Sequence, residues 1–134
     1  MIETCRLCNK EANLEVSHIL PKFIFKYHKK TSPTGNIRST KNPNLTTRDG
    51  EKLPFLCSEC EDIFSKWETR FATDIFHPYQ NSELTKFTYG DWLYKYLASV
   101  SFRVLVYVYE DTDLEYFSPK MKRRAKHVFS YQLK

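Results

Sequence analysis

From Ser58 onward, apolar side chains return every three or four residues: Ile63, Phe64, Trp67, Phe71, Ile75 and Phe76. That period predicts an amphipathic helix. Ser58 suits its N-cap, and Glu59, Glu61 and Asp62 in the first turn complement the helix dipole. His77-Pro78 is the expected stop, because proline disfavours helical backbone in the residue before it. A second broad apolar face follows the cap residue Asp91, with Trp92, Leu93, Tyr96, Leu97, Val100, Val104 and Leu105. Its end, Val104 to Tyr109, is rich in strand formers and predicts a change from helix to strand. Earlier in the chain, Leu14, Val16 and His18 alternate with Glu15 and Ser17, the period of a half-buried strand that Pro21 closes.

Between these signals, Lys22 to Lys30 places Phe23 and Tyr27 on one face of a short basic helix. Residues 31–52 collect turn formers and predict mostly loop, with Asp49-Gly50 as a turn into a returning strand at Leu53 to Leu56. Glu110 to Glu115 reads as an acidic linker, and Ser118-Pro119 as the start of a last basic helical stretch, Lys120 to Lys126. There is no internal repeat.

A chain of 134 residues with 41% apolar and 28% charged positions is one folded domain with a single core. Glycine is scarce, at 3, and neither a GxGxxG nor a GxxxxGK[ST] pattern occurs, which excludes glycine-loop phosphate binding. No apolar run reaches the roughly 20 residues that span a bilayer, and the N-terminal residues lack the regions of a signal peptide. The expectation is an intracellular, cytoplasmic protein with reduced thiols and no membrane contact. Charge is uneven. Residues 1–50 hold nine Lys/Arg against four Asp/Glu, residues 51–90 four against seven, and residues 91–134 eight against five. Basic ends around an acidic middle suit contact with a polyanion.

Cys5-Arg-Leu-Cys8 and Cys57-Ser-Glu-Cys60 are two CxxC pairs with 48 residues between them. Two-residue spacing lets one tight turn aim two thiolates at a tetrahedral ion, and two such turns complete its shell. The alternatives are a redox dithiol or four buried free thiols. A redox pair belongs at a helix start after a strand of a parallel unit, a pattern this chain does not display. Four thiolates leave no open coordination position, so a zinc ion held by Cys5, Cys8, Cys57 and Cys60 is expected to support the fold and to do no chemistry.

Within the segment clasped by the cysteines lies Ser17-His18-Ile19-Leu20-Pro21-Lys22, and the second pair is preceded by Leu53-Pro-Phe-Leu-Cys57 and followed by Glu61. With these motifs the chain resembles the HNH endonucleases, the ββα-metal nucleases, in the subset stapled by two CxxC knuckles. It is closest to a divergent group that reads SHIxPK and CxxCE. The resemblance covers roughly residues 3–70. It implies an α+β fold with a zinc-stapled ββα-metal core, taken over residues 1–78; the chain's own pattern beyond it predicts a helical, aromatic-rich extension over 79–134 packed on that core. It also implies metal-dependent hydrolysis of phosphodiester bonds, most naturally in DNA and in a defence or mobile-element setting.

Carried over residue by residue, the resemblance puts His18 at the general base that activates water. Ser17 stands where the family has a metal-binding aspartate, Lys52 where it has an asparagine, and Glu61 where it has the last histidine. A serine hydroxyl is a feeble ligand for a hard cation, whereas the Glu61 carboxylate suits Mg²⁺ or Mn²⁺. Lys52 is expected to clamp a phosphate, and Asn44 or Asn42 to orient His18. Each side chain also has a plain structural role open to it: His18 as a buried strand histidine, Glu61 as a dipole partner, Lys52 as surface charge. Lys22, Lys26, Lys29 and Lys30 are the expected nucleic-acid contacts, or else a solvated helix face. The departures at Ser17, Lys52 and Glu61 leave a second expectation: an HNH-derived zinc module that binds nucleic acid, or a protein partner through its aromatic second half, without cutting.

Overall fold

The computed structural model describes residues 2–40, 42–47, 49–82 and 84–110, together with 119, 120, 123, 124 and 127. The chain is mixed α+β. Strand β1 (Ile2–Thr4) and strand β2 (Glu11–His18) flank the first cysteine turn, and helix α1 (Lys22–Thr31) follows Pro21. Two short strands, β3 (Ile37–Arg38) and β4 (Thr46–Thr47), pair with each other in the segment expected to be loop. Strand β5 (Lys52–Cys57) runs directly into helix α2 (Ser58–Phe71). A π-helical turn (Ala72–Phe76), helix α3 (His77–Ser82) and helix α4 (Asp91–Glu110) complete the described elements. Among the described residues no helix is long and apolar enough to cross a membrane.

The main sheet is antiparallel in the order β1-β2-β5, with Leu14 opposite Cys57 and His18 opposite Lys52. Its register shifts between Glu15 and Val16. A bulge of this kind inserts one unpaired residue and re-aims the side chains beyond it. Ala12 and Leu14 are half-buried as the alternation predicts, but past the bulge the faces exchange: Val16 is 62% exposed and Ser17 only 1%. Val16, expected inside on its period, lies outside just past this register shift, where Phe55 of β5 is the extra residue.

Two further expectations change. The stop at His77-Pro78 is a π turn instead, in which the His77 N–H donates to the Ala72 carbonyl, and Pro78 enters the first turn of α3. Helix α4 stays helical through Val104–Tyr109, because Phe102 and Val106 are anchored in the core and packing overrides strand propensity. Its buried stripe is Tyr96, Ser99, Phe102, Arg103 and Val106, while Leu97 points outward. Ser118, Lys122, Lys126 and the linker after Glu110 lie outside the described residues; Lys120, Arg123 and Arg124 are helical and exposed.

One buried cluster joins the cysteine turns to α4: Cys5, Leu7, Ile19, Phe55, Leu56, Cys57, Cys60, Phe64, Ala98, Phe102 and Val106. Phe102 meets Phe55 and Phe64 edge to face, at centroid distances of 6.1 and 6.3 Å, the geometry that ring quadrupoles favour. Arg6 adds a tie at the surface, its Nε donating to Glu110 Oε2 at 3.0 Å. Helix α1 docks on the π turn through Phe23 and Tyr27, whose rings lie 4.8 and 5.3 Å from that of Phe76. Lys22, Lys26 and Lys30 are left exposed, and Lys29 is half-buried.

Candidate functional site

The cysteines converge from two turns. Between β1 and β2 the Cys5 N–H donates to Lys10 O and the Asn9 N–H to Cys5 O, and Asn9 closes the knuckle in the left-handed region, at φ 61°, which asparagine tolerates better than most residues. Cys57 ends β5 as the N-cap of α2, and Cys60 sits in the first turn of that helix. All four sulfurs lie within 4.8 Å of one another. A tetrahedral shell with Zn–S bonds of about 2.3 Å has edges of about 3.8 Å, and Cys8 Sγ and Cys57 Sγ stand 3.7 Å apart. That separation is far too long for a disulfide, where S–S is about 2.05 Å. These four cysteines are arranged to hold one metal ion. Burial raises the Cys5 thiol, but N–H groups of Cys8, Cys57 and Leu7 together outweigh it and bring it down to about 7. Cys57 and Cys60 are pushed up, by burial first and by the neighbouring sulfurs after it. A pocket that favours the Cys5 thiolate and resists those of Cys57 and Cys60 needs a cation to hold them charged together.

At the far end of β2 and β5 lies a second cluster. His18 and Lys52 face each other in register, and Asp49 lies between them. Its Oδ1 is 3.0 Å from His18 Nε2 and its Oδ2 is 2.7 Å from Lys52 Nζ. The histidine contact is close but lacks hydrogen-bond alignment. Gly50 N–H also donates to Asp49 Oδ1, at 3.3 Å. The Lys52 ammonium, and then His18, hold the Asp49 carboxyl well below the usual carboxylate range. The Phe25 ring lies 6.3 Å from the imidazole and presses on Gly50, where any Cβ would strike it.

Ser17, facing inward past the register shift, donates to Glu61 Oε2 at 2.6 Å. One helical face of α2 thus carries Glu61, Phe64 and Glu68 toward β2 (i, i+3, i+7). Glu68 pairs with Arg103 of α4, which also donates to the His18 carbonyl at 2.7 Å. Burial raises the Glu68 carboxyl, against the pull of Arg103.

The structure therefore brings His18 and Lys52 together through Asp49, and Ser17 and Glu61 together directly. It places Asn44 in an exposed turn, its backbone N–H donating to Asn42 Oδ1 at 3.2 Å, and the group facing the His18 ring is Asp49. Among the described residues the cysteines are the one group of three or more metal-ligating side chains. Asp49, Glu68 and Arg103 are the site residues that sequence reasoning missed. Asp49 was read only as half of an Asp-Gly turn. Arg103, a lone cation in the run from Ala98 to Tyr109, was the available signal for a buried pair.

Compared with models of known protein families, with curated proteins and with solved structures, the chain matches none.

Proposed function

We propose that the chain is a zinc-stapled nuclease of the HNH type, hydrolysing phosphodiester bonds in nucleic acid, DNA first among them. The observation that carries this reading is His18 set against Asp49 and Lys52 at the end of a strand-strand-helix unit whose other end is the cysteine cluster. With Nε2 facing a carboxylate, the neutral imidazole keeps its proton on that side and offers the Nδ1 lone pair to water. Imidazole's ordinary pKa of about 6.5 suits proton abstraction near neutral pH. The loose His18–Asp49 alignment fits a pair that tightens only when substrate is bound. Lys52, already neutralised in part by Asp49, has further N–H donors to give a phosphate oxygen.

Zinc fits the cysteine shell by donor type and spacing, and its part there is structural. For a catalytic Mg²⁺ or Mn²⁺, Glu61 is the residue that would hold the ion. Mg²⁺ commonly binds through one or two carboxylates and substrate phosphates while keeping several waters, so one such anchor is in keeping with its habits. The ion would stabilise charge on the phosphate and the leaving oxygen. Lys22, Lys26, Lys29 and Lys30 on α1, the helix that begins four residues after His18, supply the backbone contacts in this reading.

A second reading, a nucleic-acid-binding zinc module that does not cut, has its own support. Ser17 occupies one oxygen of Glu61, Asp49 occupies Lys52, and no second group of three metal ligands forms among the described residues. Incubating plasmid DNA and a single-stranded RNA with the zinc-loaded protein and Mg²⁺ or Mn²⁺ separates the two. Cleavage that vanishes in His18→Ala with zinc content unchanged is the nuclease result. Salt-dependent DNA binding with no cleavage by the parent protein leaves the binding module.

A further inference from the structure

The helix outside the cysteine-clasped segment sends one cation into the histidine cluster. Arg103 is 1% exposed, donates through Nη1 to the His18 carbonyl at 2.7 Å, and pairs through Nη2 with Glu68. Its guanidinium also lies over the Phe64 ring, 5.0 Å from the centroid. Burying an ion pair gains little stability over well-packed apolar side chains of similar volume. What a guanidinium gives instead is a planar fork whose two arms take partners in fixed relative positions. Here one partner is on α2 and the other is the last residue of β2. Beyond His18 the chain is held on its other side by the Ile19 N–H, which donates to the Glu51 carbonyl at 3.1 Å. The backbone that carries the imidazole is thus fixed from α4 on one side and from the Asp49 segment on the other.

We infer that Arg103 is a positioning residue for His18: by holding the His18 carbonyl and Glu68 in one fork, it sets the imidazole beside Asp49 and makes helix α4 a working part of the histidine site. Its effect on turnover rests on the nuclease reading above; its effect on where the ring sits does not.

The test uses the full-length, zinc-loaded chain and follows the His18 ring by side-chain ¹⁵N–¹H NMR, assigned by its loss in His18→Ala. Arg103→Met/Glu68→Met removes both charges at once and leaves no buried ion unpaired, so zinc content and thermal midpoint should stay close to the parent's. The His18 ring signals should nevertheless leave their parent tautomer pattern, and kcat should fall about 10- to 100-fold with KM held, the scale of a small misplacement of a reacting group. Arg103→Lys, which keeps the charge without the fork, should recover part of both. A folded double variant with the parent ring spectrum overturns the inference. Should the double variant fail to fold, an unchanged ring spectrum in Arg103→Lys overturns it equally. Ring signals that move in a protein whose parent cuts nothing would uphold the positioning role and remove the nuclease.

Discussion

Ser17 Oγ donates to Glu61 Oε2 across 2.6 Å, just past the point where the β2–β5 register shifts: Glu15 pairs with Leu56 and Val16 with Pro54, so Phe55 of β5 is the extra, bulged residue. A regular pleat continued from Leu14 would carry Val16 inward and Ser17 toward solvent. A hydrogen bond to a helix carboxylate stands in place of that apolar contact, immediately before the histidine. Such irregularities next to a cluster of polar side chains re-aim one of them.

Ser17→Ala should destabilise the chain by about 1–3 kcal/mol, the cost of leaving a partly buried charged group without its donor. Denaturant unfolding at fixed zinc measures it. Ser17→Asp, which restores the residue of the resembled family, should be worse in the absence of added divalent metal, because two carboxylates then meet. Mg²⁺ or Mn²⁺ should raise its thermal midpoint more than that of the parent; equal shifts would place no divalent ion at Glu61.

Purified protein should carry about one zinc per chain, since the four thiolates complete a tetrahedral shell. Cys57→Ser should lose metal and cooperative unfolding together, because Cys57 is at once a ligand, the end of β5 and the N-cap of α2. Elemental analysis and circular dichroism check this; a folded, metal-free protein with four reactive thiols would sink the zinc assignment.

Asp49 has its folded pKa depressed, by Lys52 first and His18 next. Stability from that pairing is present above the ordinary carboxylate pKa of about 3.9 and is lost as pH falls through the folded value. Asp49→Asn should therefore be less stable than the parent at pH 7, and the gap should shrink steadily below about pH 4. Comparing the two proteins at each pH cancels the thiolate protonation they share. A gap independent of pH would mean that Asp49 acts only through neutral hydrogen bonds.

Gly50 lies under the Phe25 ring, so Gly50→Ala forces the ring away from its place near His18. The expected loss is about 1–3 kcal/mol, as for other overpacked sites. Adding Phe25→Leu should recover part of it, with a coupling of about 0.5–3 kcal/mol. Additive losses would show that ring and glycine do not meet.

On α1, Lys26 and Lys30 are exposed one turn apart, beside the aromatic pair Phe23 and Tyr27 that docks on Phe76. If they bind DNA phosphates, replacing both with alanine should make the slope of log affinity against log salt shallower by about 0.9 per lost contact. An unchanged slope moves the interface elsewhere.

The sequence was most readable where one period governs one face. The run from Phe64 to Phe71 (though not Ile63, which is exposed), the α1 pair Phe23 and Tyr27, and the CxxC turns each carry local spacing that the fold uses directly. It was least readable where a single backbone irregularity changes the rule. The β5 bulge at Phe55, opposite Glu15 and Val16, and the π turn before His77 each break the period of the residues around them, and no side-chain pattern announces an inserted residue. The histidine site was half legible for a similar reason. His18, Ser17, Lys52 and Glu61 belong to linear motifs, whereas Asp49 and Arg103 arrive through loop and helix packing that only the folded chain brings to bear.

The joint core of Phe55, Phe64 and Phe102 also sets an order of events during synthesis. Cys5 and Cys8 leave the ribosome long before Cys57 and Cys60, and Phe55 and Phe64 emerge well ahead of their edge-on partner on α4. A nascent chain stopped short of α4 therefore has all four cysteines in place but leaves Phe55 and Phe64 without the ring that covers them. Exposed apolar surface of that kind is where growing chains aggregate or engage chaperones. The metal ligands are thus all made before α4, but the core closes only when that helix has been released.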